Sequence, residues 1–171
     1  MNNSVKYLIL IICILLVQLL ASEFVNIHPF VYISVLPLIV IMLPYGLNTS
    51  LAMLIACGAG AFADFSYDGI MGLNMAALTA VAYFRKTLIE MIVSKSTRET
   101  LIVVNDKSIG KWNFFIYTLL SYIIFISIYV ALDNVVFYSL TQTIIRIVMS
   151  VALDVAIALL LTKAILVNRF F

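Results

Sequence analysis

Apolar residues run in long blocks along this chain, and charges and turn residues mark where the blocks stop. The first block covers about residues 7–22, between Lys6 and Glu23, whose side chains can both reach toward headgroups. From Glu23 to Asp64 there is no charge at all, and that is too long for one crossing of roughly 20 residues. The string Pro44-Tyr45-Gly46-Leu47-Asn48 is a strong turn signal. It divides the stretch into helices at about 30–43 and 47–63, with Pro37 expected to kink the former. Asp64-Phe65-Ser66-Tyr67-Asp68-Gly69 reads as the next turn, followed by a helix at about 70–84. A polar segment occupies 85–111, within which 100–104 reads as a short strand with no evident partner. Two further helices follow at about 112–132 and 143–167, joined by a short connection. Trp112 and Tyr117 suit an interface. The pattern predicts an all-α integral membrane fold of six transmembrane helices in a compact bundle, forming a single domain over 1–171.

Composition sharpens this. The chain is 65% hydrophobic and 11% charged, with mean hydropathy +1.19, whereas soluble domains are about 25% charged. A water-soluble fold of this size would have no place for so much apolar surface. Cys13 and Cys57 lie within apolar blocks and read as small buried hydrophobes. The first block resembles a signal peptide, but no convincing small-residue cleavage site precedes Glu23, so a retained helix is expected.

Basic residues set an orientation. The connections after the first, third and fifth helices contain no Lys or Arg. Arg85, Lys86, Lys95, Arg98, Lys107 and Lys111 follow the fourth, Lys6 precedes the first, and Lys163 and Arg169 close the last. The positive-inside rule then puts both termini and segment 85–111 in the cytoplasm. Because Glu90, Glu99 and Asp106 interleave with its basic residues, that segment is expected to contact anionic headgroups, in preference to nucleic acid.

Three features are candidates for function. Small residues recur every four positions: Ala52, Ala56 and Gly60; Gly72, Ala76 and Ala80; Ala152 and Ala156. Such faces let helix backbones approach closely, either within the protein or against a partner's membrane helix. Asp64 and Asp68 flank the outer turn, as cation or arginine ligands, as solvated charges, or with Asp64 capping a helix end. Arg146 and Asp154 are intramembrane charges too far apart on one helix to touch, so each needs a partner elsewhere. No catalytic constellation, metal-ligand spacing or phosphate-cradling loop is evident, and no cofactor is implied. The lone His28, before Pro29, has no triad partners nearby in sequence.

The stretch GAGAFADFSYDGIMGLNMAALTAVAYFR, from Gly58 to Arg85, resembles the signature region of MreD, the bacterial rod shape-determining membrane protein family. The matching positions are Asp64, Gly69, Gly72, Leu73, Asn74 and Tyr83, with Ala76 and Ala80 on the small-residue helix between them. Asn74 stands where relatives often carry His or another polar residue. The resemblance implies a non-enzymatic component of the cell-elongation machinery. It would bind MreC, a single-span periplasmic scaffold, and work beside RodA, a penicillin-binding transpeptidase and the MreB filament in peptidoglycan synthesis. It also implies a fold like the substrate-binding membrane subunits of energy-coupling-factor vitamin transporters. The alternatives are such a transporter subunit, or a small ion or drug antiporter using Asp64 or Asp154.

Overall fold

The computed structural model describes residues 3–24, 32–68, 70–133 and 140–167. His28, Gly69, the connection at 134–139 and the tail with Arg169 lie outside the described residues, as do the side chains of Lys6 and Asp68. Among the described residues eight α-helices follow one another: α1 (Asn3–Phe24), α2 (Pro37–Ile41), α3 (Thr49–Ala63), α4 (Leu73–Ile92), α5 (Lys95–Glu99), α6 (Asp106–Ile109), α7 (Lys111–Asp133) and α8 (Leu140–Val167). A π-helical turn, Asp64–Asp68, prolongs α3. Among the described residues three helical stretches are long and apolar enough to cross a membrane: Thr49–Ser66, Lys111–Asp133 and Thr141–Lys163.

Apolar side chains fill both the inside and the outside of the bundle. Ala56, Leu78, Val81, Ile89, Phe125 and Ile126 are wholly buried, while Leu54, Phe65 and Leu160 are about 70% exposed. A helix that is apolar on both faces has no stable place in water, and hydrocarbon removes the penalty on its outer face.

The α3–α4 pair is the most extensive helix contact and shows what the small residues do. Ala52, Ala56 and Gly60 face α4 and are buried. At Gly60 a Cβ would lie 2.5 Å from the Met75 Cα, so the two backbones meet where no side chain fits. The expected counterpart face on α4 is different. Gly72 precedes the helix with φ +107, and Ala77, Leu78 and Val81, not Ala76 and Ala80, carry the inward face. Ala152 and Ala156 point outward on α8. Cys13 is exposed and Cys57 half-buried, so neither is the buried hydrophobe expected.

Segment 30–43 departs furthest from expectation. Only Pro37–Ile41 is helical, and residues 32–35 have no regular structure. Pro37 opens the helix instead of kinking it: its missing N–H falls where a helix has no acceptor to offer, and its fixed φ already suits the first turn. Helix α4 runs past the expected end at 84, so Arg85 is not a loop charge but a buried helical residue, 1% exposed. Within 100–104 the strand reduces to one antiparallel bridge, Pro44 to Val103, in which the Tyr45 N–H donates to the Ile102 carbonyl at 3.0 Å.

A buried polar network as candidate functional site

The network begins with the backbone of residues 32–35, which lies outside any helix, so its N–H groups have no helical acceptor. In a dry interior each group left alone would cost about 1–3 kcal/mol. Side chains from two helices supply the missing partners. Gln18 on α1 accepts from the Val35 N–H at 2.6 Å and donates to the Ile33 carbonyl at 3.3 Å. Ser150 on α8 accepts from the Tyr32 N–H at 3.0 Å, and Asp154, one turn further, accepts from the Ser34 N–H at 3.0 Å. Gln18, Ser34, Ser150 and Asp154 are all essentially inaccessible.

Tyr32 ties this segment to the motif region. Its ring stacks on Tyr129 of α7 at 3.9 Å, and its hydroxyl donates to the Asn74 side-chain oxygen at 2.9 Å. The Asn74 side-chain amide then donates to Asp64 at 3.0 Å. Asp64 also accepts from three backbone N–H groups: Gly72 at 2.8 Å, Asn74 at 2.9 Å and Met75 at 3.2 Å. These are the groups a helix leaves free at its start, and a carboxylate there is favoured by both hydrogen bonding and the helix dipole. Of the readings open for Asp64, the structure selects helix capping, though of the following helix and from a fully buried position.

Gly72 makes the cap possible. Its φ of +107 turns the N–H back toward Asp64, a conformation an L-residue with a Cβ rarely adopts. Leu73 is buried beside it. Ala76, Ala80 and Tyr83 are not in the network. With Met53, Cys57, Met75, Thr79 and Phe84 they line an open apolar groove between α3 and α4, of about 480 Å³.

Arg146 and Asp154 of α8 both find partners off their own helix. Arg146 pairs with Asp133 at the end of α7, 2.8 Å away. Asp154 uses one oxygen on the Ser34 N–H, while Oδ2 is buried with no hydrogen-bond partner among the described residues, as is the Tyr122 hydroxyl of α7.

Sequence reasoning missed Arg85, Gln18 and Tyr32. Arg85 donates to the carbonyls of Pro44 at 2.7 Å and Tyr45 at 3.4 Å, closing the C-terminal side of the broken segment. A lone polar residue in an apolar block was the available signal for Gln18. Arg85, beside Lys86, looked like the start of the loop.

No family model, curated protein or solved structure matches this chain. Fold and site together define an all-helical, membrane-protein-like chain with a hydrogen-bonded interior.

Proposed function

We propose that this chain is a non-enzymatic, six-span component of the bacterial inner membrane of the MreD kind, with both termini in the cytoplasm. It binds an MreC-like single-span scaffold and supports peptidoglycan synthesis during elongation, beside RodA and its transpeptidase. Three crossings are α3, α7 and α8; the others are α1, the 32–43 segment and α4. Non-helical backbone is tolerated at membrane depth where protein covers it. Residues 32–43 meet that condition: nearly all are inaccessible, and backbone groups of Tyr32, Ile33, Ser34 and Val35 are met by Ser150, Gln18 and Asp154. Four non-helical residues reach up to roughly 14 Å, and the helical turn adds about 1.5 Å per residue. That covers most of a bilayer core of about 30 Å. Taking Arg85 out of the loop leaves the cytoplasmic excess of basic residues in place.

The observation that carries the partner reading is the open groove between α3 and α4. Its wall of Ala76, Thr79 and Ala80 has little side chain, and it is flanked by exposed Tyr83 and Phe84, set edge to face at 5.0 Å. Among the described residues this surface stays open, with Ala76, Thr79 and Ala80 only half-buried. A partner helix could approach closely there and gain dispersion contacts. The test is co-purification of the full chain with an MreC-like scaffold, comparing the parent with an Ala76→Leu/Ala80→Leu variant. The variant should unfold at the parent's temperature but retain the scaffold at least tenfold less. A folded variant that keeps its scaffold overturns this reading.

Asp154 favours a second reading, proton-coupled antiport, because one carboxylate oxygen is buried without a hydrogen-bond partner among the described residues. Flux into liposomes should then vanish with Asp154→Asn. Equal flux through parent and variant removes it.

A further inference from the structure

Helix α7 starts and helix α8 ends at the same edge of the bundle, and between them lies an opening of about 220 Å³. Lys111 and Lys163 stand on its rim, Asp106 closes one side, and Phe114, Phe115 and Leu159 form its apolar wall. Neither lysine is ion-paired among the described residues. Asp106 Oδ1 is buried and accepts no hydrogen bond among them. Trp112 fixes the depth. It is 71% exposed and stacks on Phe115 at 5.8 Å, an amphipathic ring beside a lysine, as found at headgroup level.

We propose that this opening binds one phosphatidylglycerol molecule. The phosphodiester sits between the Lys111 and Lys163 ammonium groups. A hydroxyl of the glycerol headgroup donates to Asp106 Oδ1. The acyl chain starts along Phe114, Phe115 and Leu159. At roughly 30 Å³ per water the opening holds a headgroup, while the chains run outside along α7 and α8. Charge selects the lipid: two lysines and one aspartate leave one net positive charge, which a single phosphodiester cancels. Phosphatidylethanolamine is zwitterionic and leaves that charge standing. Phosphatidylcholine additionally has no headgroup donor for Asp106. Basic pockets between helix ends on the cytoplasmic side suit acidic headgroups for the same reason. The proposal is independent of the scaffold-binding reading.

The test uses the full chain in bilayer discs containing equal parts of the three lipids, released for native mass spectrometry. The parent should retain one phosphatidylglycerol at least fivefold over either other lipid. Lys111→Ala/Lys163→Ala should abolish the preference. Asp106→Leu should bring phosphatidylglycerol retention closer to that of phosphatidylcholine. Lys95→Ala, an exposed cation on α5, should change nothing. Glycerol phosphate without chains, added at millimolar concentration, should not displace the lipid. Both lysines are exposed, so the double variant should fold; its unfolding temperature in a neutral detergent checks this. Equal retention of phosphatidylcholine by the parent, or an unchanged preference in the lysine double variant, overturns the site. So does an equal loss with Lys95→Ala, which would mark diffuse attraction to the whole segment.

Discussion

Asp64 and Asn74 are ten residues apart, and one carboxylate oxygen, Oδ1 of Asp64, accepts both the backbone N–H of Asn74 at 2.9 Å and its side-chain amide at 3.0 Å. The other oxygen takes the N–H groups of Gly72 and Met75. The end of α3 and the start of α4 are thereby fastened at a single acid. Asn74 passes the connection on to Tyr32, and so to the non-helical segment at the centre of the bundle.

Removing that acid should therefore be severe. Asp64→Ala strands four donors, three of them backbone, and is expected to destabilise the protein by about 3 kcal/mol or more. Asp64→Asn keeps one acceptor oxygen but sets an amide among N–H groups, and should lose about 2 kcal/mol. Tyr32→Phe removes only the distal hydrogen bond and should lose about 1 kcal/mol. Thermal unfolding in detergent, followed by circular dichroism, ranks the three. Asp64→Ala unfolding no earlier than Tyr32→Phe would contradict the capping role.

Two glycines two residues apart in α3 make an internal control. Gly60→Ala forces a Cβ into the Asn74–Met75 backbone, which cannot retreat as a flexible side chain would. Gly58→Ala meets nothing within 4 Å. The first should lower stability by about 2 kcal/mol or more, as overpacking does. The second should be neutral or raise it by up to about 1 kcal/mol, because alanine favours a helix. Unfolding temperatures that fall equally would show that α3 and α4 do not meet at Gly60.

Gln18 offers a local readout. Gln18→Leu keeps the volume but removes both bonds to the backbone of Ile33 and Val35. The expected loss is about 2 kcal/mol. Amide exchange should speed up at Val35 before it does in α7, since the opening begins where the backbone has lost its partner. Uniform exchange across the bundle would refute this.

Arg85 tests the other side of the broken segment. Arg85→Met keeps much of the length but leaves the Pro44 carbonyl without its charged donor and should lose about 2 kcal/mol. Arg85→Lys should recover part of that, because one ammonium reaches one carbonyl without the planar fork. Arg85→Met unfolding at the parent's temperature would exclude the capping role.

The helices at 112–132 and 143–167 were legible because their blocks are long, apolar and bounded by charges, and the structure has them as α7 and α8. Helix 47–63 was legible through Pro44–Asn48, and the close approach of its small residues to α4 through their four-residue spacing. Asp64 was visible as an acid at the end of an apolar helix, but its partners are the first N–H groups of the helix that follows, and nothing in its neighbours says that it is buried.

Apolar block length and charge position decide locally whether a segment can live in lipid, so the sequence alone determined a membrane-type, all-helical chain. Whether buried backbone may leave the helix is settled by donors and acceptors that arrive from elsewhere in the fold. Residues 32–35 are unwound because Gln18, Ser150 and Asp154, each at least 15 residues distant, take over their hydrogen bonds. α4 continues through Arg85 because the carbonyls of Pro44 and Tyr45 stand ready to receive the guanidinium. Only the tertiary structure brings those groups together, and a buried polar group has no other way to be satisfied.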